Sequence, residues 1–150
     1  MSRWNNADWT ALCDGSACPI CRQGRPDGIV LELAGSYLTS SANAPMRGYC
    51  CVVLKRHAVE LHALSDEEAV AFTRDIRRAS KAIQELTQAV KLNYEIHGNT
   101  IPHLHMHIFP RYRGDLFEGK PIDPSLIKTS PYKANEFEEF VAELRARMRD

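Results

Sequence analysis

The chain reads as an α+β domain with a mainly antiparallel sheet, one long helix and a C-terminal helix. Three observations lead there. From His103 to Pro110 histidine alternates with apolar residues, the period of two that marks a strand. From Ser65 to Val90 apolar residues recur at spacings of three and four, one face of a helix. The strand-like and helical segments follow one another as β-β-β-α-β-β-α, an order that suits an α+β domain with strands joined by hairpins.

Taken in order, residues 1–25 are polar and are expected to be irregular, carrying Cys13, Cys18 and Cys21. Ile29–Leu33 and Tyr37–Ser40 read as strands joined by a turn at Ala34-Gly35, and Ser41–Arg47 as loop. Tyr49–Lys55 is a short apolar run that fits a strand buried on both faces. Ser65 with Glu68 forms a capping box, and Ala69, Phe72, Ile76, Ala79, Ile83, Leu86 and Val90 line the long helix behind it. Lys91–Ile96 follows as a strand, His97-Gly98-Asn99-Thr100 as a turn, and the histidine strand comes next. Residues 114–134, rich in proline and glycine, are expected to be irregular. Residues 135–150 read as the final helix, with Asn135 as cap, Glu138 three on, and Phe137, Val141 and Leu144 on its apolar side.

At 150 residues this is one domain, 1–150, with 44% hydrophobic and 25% charged residues, enough to bury a core. Nineteen basic and nineteen acidic residues cancel, so no global field favours nucleic acid or a membrane surface. No apolar run reaches membrane-spanning length, and the N-terminus lacks an apolar signal core. An odd cysteine count of five and the Cys18-Pro-Ile-Cys21 spacing fit a reducing, cytoplasmic setting better than a disulfide scaffold.

The histidine strand is the feature that carries chemistry. On a regular strand His103, His105 and His107 point one way, while Leu104, Met106 and Ile108 point the other. Half of the chain's six histidines on one strand face is hard to ascribe to accident. Imidazole is a common metal ligand, but same-face neighbours on one strand do not readily surround a single ion. Nucleophilic catalysis fits better: a neutral imidazole attacks phosphorus, and its neighbours orient it and protonate the leaving group.

The run His103-Leu-His105-Met-His107-Ile-Phe109 resembles the motif of the histidine triad (HIT) family. Asn99-Thr100 before it, Pro110-Arg111 after it, Leu54-Lys55-Arg56-His57 upstream and Leu64-Ser65-Asp66-Glu67-Glu68 at the long helix resemble the family's flanks. The resemblance covers roughly residues 18–115. It implies a HIT-like fold and a nucleotide hydrolase or nucleotidyl transferase acting at the α-phosphate. The substrates implied are purine nucleotides: nucleoside phosphoramidates or dinucleoside polyphosphates. It implies His105 as nucleophile, His107 at the phosphate and leaving group, and His103 as a supporting residue. Asn99 stands where relatives often carry a phosphate-binding glutamine, Thr100 where a hydroxyl touches phosphate, and Asn93 where a site asparagine can lie. Many members are homodimers.

Cys18 and Cys21 alone admit two readings, half of a zinc site or a pair of free thiols. Bacterial relatives complete such a site with two histidines; carried over, these are His57 and His103, giving a structural zinc held by Cys18, Cys21, His57 and His103. Cys13 is expected to stand aside, and Cys50 and Cys51 to behave as small buried hydrophobes. His62 and His97 read as surface or turn residues, with His97 close enough in sequence to be a substitute ligand. Lys55, Arg56, Arg111 and Arg113 are candidates for positive potential near phosphate. Arg74, Arg77 and Arg78 read as a solvated helix face, and Trp4 and Trp9 as docking residues. Two rivals to turnover follow: a zinc-containing nucleotide-binding module, and a nucleic-acid-end processing enzyme. The even charge balance counts against the second.

Overall fold

The computed structural model describes Ser2, Trp4 and residues 6–149. Five strands form one sheet in the order β1-β2-β3-β5-β4, every neighbouring pair antiparallel. The strands are β1 (Ile29–Glu32), β2 (Ser36–Ser40), β3 (Cys50–Leu54), β4 (Lys91–Glu95) and β5 (His105–Arg111). The hairpins β1-β2 and β2-β3 build one half. The chain then crosses through a long helix, returns as β4 and turns back, so that β5 slots between β3 and β4. This crossover puts the histidine strand at the side of β3, with Cys51 opposite His107 and Val53 opposite His105.

The long helix, α3 (Asp66–Thr87), starts at the capping box read from the sequence. The Ser65 hydroxyl accepts from the Glu68 N–H, and the Glu68 carboxylate accepts from the Ser65 N–H. Its stripe of Phe72, Ile76, Ala79 and Ile83 packs on Leu38, Cys50, Val52 and Ile108 of the sheet. Burying a side chain such as Phe72 or Ile83 contributes about 1.5–3 kcal/mol each. A buried Ser36 hydroxyl donating to Asp75 at 2.6 Å ties the same helix to β2. The helix ends earlier than its apolar periodicity suggests. Gln88 adopts the left-handed conformation at φ 55°, and Val90 lies beyond it, exposed.

α4 (Glu136–Arg149) covers the remaining flank, burying Phe140, Leu144 and Met148. Its start differs from expectation: Asn135 is left-handed at φ 67°, and the Lys133 N–H is satisfied by the Glu136 carboxylate. Residues 114–134 are largely irregular apart from one turn of 3-10 helix at Pro124–Leu126. This segment is not loose, because Phe117 and Ile122 pack with Met46 and Phe109 on the sheet face opposite α3.

The expectation of an irregular N-terminus is corrected. Two short helices form there, α1 (Ala7–Cys13) and α2 (Pro19–Gln23). The Asn6 side chain caps α1 by accepting from the Trp9 N–H at 2.8 Å. Pro19 opens α2 at the position where its missing N–H has no partner to lose. Helices of seven and five residues give too little periodicity to be read from sequence. Trp4 leans on Trp9, ring centroids 6.3 Å apart, and is otherwise largely exposed. No helix among the described residues is long and apolar enough to cross a membrane.

Candidate active site and metal centre

The three histidines do not share one environment. β5 begins only at His105, and it runs on through Pro110, where the ladder to β3 has already ended at Cys50–Ile108. His103 precedes the strand and is fully buried. Its Nε2–H donates to the Leu54 carbonyl at 2.7 Å, which leaves the lone pair on Nδ1. His57, just past the end of β3, does the same: its Nε2–H donates to the Cys13 carbonyl at 2.9 Å.

Those two Nδ1 atoms face each other at 3.3 Å. Cys18 Sγ lies 3.5 Å from His103 Nδ1, and Cys21 Sγ lies 3.3 Å from His57 Nδ1 and 3.6 Å from His103 Nδ1. Two imidazole lone pairs with no proton between them repel unless a cation sits there. Zinc bonds of about 2.0–2.1 Å to nitrogen and about 2.3 Å to sulfur give tetrahedral edges of about 3.3 Å between nitrogens and about 3.5 Å between nitrogen and sulfur. The observed spacings fit that polyhedron. The two carbonyls orient both rings, as outer partners of metal-bound histidines commonly do. Burial and the neighbouring Cys18 sulfur push the Cys21 thiol up to about 11, so its thiolate calls for a cation beside it. Gly15, at φ +89°, backs the His57 ring: a Cβ there would come within 3.2 Å of it. Cys13 contributes its carbonyl and not its thiol.

His105 and His107 turn to the sheet face away from α3. The His105 Nδ1–H donates to the His103 carbonyl at 2.6 Å, which places the lone pair on Nε2 at a half-exposed position. Its ring stands edge-on to His107, centroids 4.6 Å apart. The Tyr49 hydroxyl lies 2.7 Å from His107 Nδ1. Burial, reinforced by His105 and His97, holds the His107 pKa down at about 4, so this imidazole is neutral at physiological pH. Burial also pushes the Tyr49 hydroxyl well above the ordinary tyrosine range, so it keeps its proton.

Asn99 and Thr100 are exposed on the turn leading to β5, after Gly98 at φ +68°. Asn93 lies on β4 opposite Phe109 and accepts from Lys91 Nζ at 2.6 Å. His97 comes to the His107 side, with ring centroids 5.7 Å apart, and pairs with Glu95 at 2.8 Å. It is not among the four residues of the metal cluster. His62 is exposed in a turn of 3-10 helix.

Three of the four basic candidates are spoken for: Lys55 pairs with Glu32, Arg56 with Glu68, and Arg111 with Asp115. Sequence reasoning did not single out Tyr49, Glu95 or the Cys13 carbonyl. The first two could have been found from strand alternation, since each shares a face with His107 once the register is known.

The sequence model of the HIT domain matches residues 22–114. The chain belongs to the HIT domain family. The adenosine 5′-monophosphoramidase of Schizosaccharomyces pombe is 29% identical over 121 residues, covering 75% of this chain and 91% of that one. Among solved HIT structures, a histidine triad protein from Bradyrhizobium japonicum superposes with a TM-score of 0.74 at 26% identity, covering 87% of this chain and 95% of that one. A zinc-bound histidine triad family protein from Mycobacterium smegmatis superposes at 0.64 with 23% identity, covering 89% and 94%. These likenesses match the α+β architecture of five antiparallel strands, a long helix and a C-terminal helix.

Proposed function

We propose that this HIT protein is a nucleotide hydrolase or nucleotidyl transferase acting at the α-phosphate of a purine nucleotide through a nucleotidyl-His105 intermediate. The observation that carries this reading is His105 itself. A backbone carbonyl clamps its Nδ1–H, so the nucleophilic lone pair is on Nε2, aimed out of the sheet beside a second neutral imidazole. Nε2 attacks phosphorus and the bond to the leaving amine or phosphate breaks; water then cleaves the P–N bond and restores the histidine. With the Tyr49 hydroxyl donating to Nδ1, His107 carries its proton on Nε2 and offers it to the phosphate or leaving group. Asn99 and Thr100 on the preceding turn, with Asn93 on β4, are the polar groups we assign to substrate. The likeness to the monophosphoramidase favours nucleoside phosphoramidates, and dinucleoside polyphosphates are the second substrate class we assign.

Cys18, Cys21, His57 and His103 are assigned to a structural zinc, which would fix the N-terminal helices to the strand end and set the carbonyl of His103 under His105. Reduced cysteines at that centre fit a cytoplasmic setting. β4 is an edge strand that exposes Tyr94, with Val90 exposed just before it, and we assign it to a homodimer contact. Light scattering should then return twice the 17.0 kDa chain mass, and a monomer at micromolar concentration would refute the contact.

The deciding experiment compares adenosine 5′-phosphoramidate and diadenosine tetraphosphate as substrates for wild type and His105→Ala. Cleavage by wild type alone supports the mechanism, and undiminished cleavage by the variant refutes it. Nucleotide binding without cleavage by either protein would favour the non-catalytic module.

A further inference from the structure

The proposed reaction gives Cys51 no task, yet its thiol sits in the floor of the open site. Cys51 lies on β3 directly opposite His107, and His105 stands two residues before His107 on β5, on the same face. One ligand atom from each of Cys51, His105 and His107 falls within 4.8 Å of the others. Two imidazoles from one strand cannot enclose an ion, but a thiol from the neighbouring strand supplies the third corner. His105 Nε2 is open, and its ring and that of His107 stand 4.6 Å apart above the cysteine. Cys51 is 7% exposed, on the sheet face where the two rings stand.

We propose that Cys51, His105 and His107 form a second metal site, taking a borderline ion such as zinc, whose occupancy shuts off the chemistry of His105. Two imidazole nitrogens and one thiolate are the donor set such ions prefer, with a fourth position left for water or a phosphate oxygen. Binding releases the thiol proton, shifts the His107 proton to Nδ1 where the Tyr49 oxygen accepts it, and occupies the lone pair that would attack phosphorus. The Cys18–His103 cluster offers four donors and this site only three, so the second ion binds more weakly and only after the first. The metal half of the proposal stands on this geometry alone; the inhibitory half rests on the nucleotidyl-transfer reading.

The test titrates zinc into the purified chain, counts bound metal by elemental analysis after gel filtration, and follows phosphoramidate cleavage in the same samples. Wild type should take up two zinc ions per chain, and the second should suppress turnover at least tenfold. Cys51→Ser should bind one, and its inhibition should need roughly ten- to a hundredfold more zinc. Cys51→Ala, checked by thermal melting, guards against a serine-specific folding defect. A wild type that stops at one zinc per chain overturns the site. Both variants inhibited at the wild-type concentration overturn the role of the thiol. If the chain cleaves neither substrate, the nucleotidyl-transfer reading fails separately, and the zinc count still decides the metal half.

Discussion

The ends of β5 and its middle are built for opposite purposes. At the near end His103 is buried, with one ring nitrogen bonded to a carbonyl and the other turned into the Cys18–Cys21–His57 cluster. At the far end Arg111 is buried, bidentate to Asp115, and donates to the carbonyls of Lys120 and Phe117. Between them His105 and His107 are half-exposed, and each has one ring nitrogen fixed by a protein group and the other left for a ligand. The ends saturate their polar groups and hold the strand in place; the middle leaves a ring nitrogen of each histidine without a protein partner of that kind among the described residues. A row of histidines that looks uniform in sequence is divided by what packs beneath each.

The sharpest way to break this division is a reciprocal pair of substitutions. His105→Ala should lower turnover by roughly four orders of magnitude or more, as loss of a nucleophile does, while zinc content and melting temperature stay near wild type. His103→Ala should do the reverse: zinc is lost from the purified protein and stability falls by about 4 kcal/mol, which for a domain of this size is roughly 10 °C in Tm. Turnover would fall only as far as the carbonyl under His105 is displaced. If His103→Ala keeps its zinc and its Tm but loses all turnover, the two histidines belong to one catalytic unit and the division fails.

Most of this arrangement is legible in the sequence because it rests on periodicity and local rules. The α3 stripe, the Ser65–Glu68 capping box and the alternation through β5 each use neighbours a few residues apart. Cys18, Cys21, His57 and His103 could be grouped only through the family resemblance, because nothing local says that residues 18 and 103 meet. What stayed hidden depends on register and on short elements. Tyr49 reaches His107 only because β3 and β5 pair with Cys51 opposite His107. The carbonyls of Cys13 and Leu54 that orient the His57 and His103 rings are backbone groups, which carry no sequence signature. Arg111 read as a possible phosphate contact because its charge is visible in sequence while its partner Asp115, brought back by a tight turn, is not.

The far end can be tested in the same terms, with a smaller effect. The Arg111 guanidinium holds the Asp115 carboxyl down at about 2, against an ordinary value of 3.8. The unfolded chain therefore binds the extra proton between those values, so this pair contributes its stability above about pH 4 and loses it as pH falls toward 2. Asp115→Asn should cost about 3 kcal/mol at neutral pH, the usual consequence of stranding one member of a buried pair, and should flatten the acid limb of the melting curve. Melting temperatures measured from pH 7 to pH 2.5 that run parallel for variant and wild type would show that Arg111 is not an anchor.

The smallest change probes the middle of the strand alone. Tyr49→Phe removes the hydroxyl from His107 Nδ1 and leaves the ring packed at a tilt against Phe109, where centroids lie 5.0 Å apart. Without that partner His107 is free to place its proton on either nitrogen, and about half of the molecules then present the wrong one to the leaving group. The expected loss is about twofold in kcat with KM, zinc content and Tm nearly unchanged, the equivalent of about 0.4 kcal/mol. A rise in KM with kcat intact would instead place Tyr49 among the groups that bind substrate. The tautomer of His107 would then be set by the substrate itself, and the middle of β5 would be less preorganised than its ends.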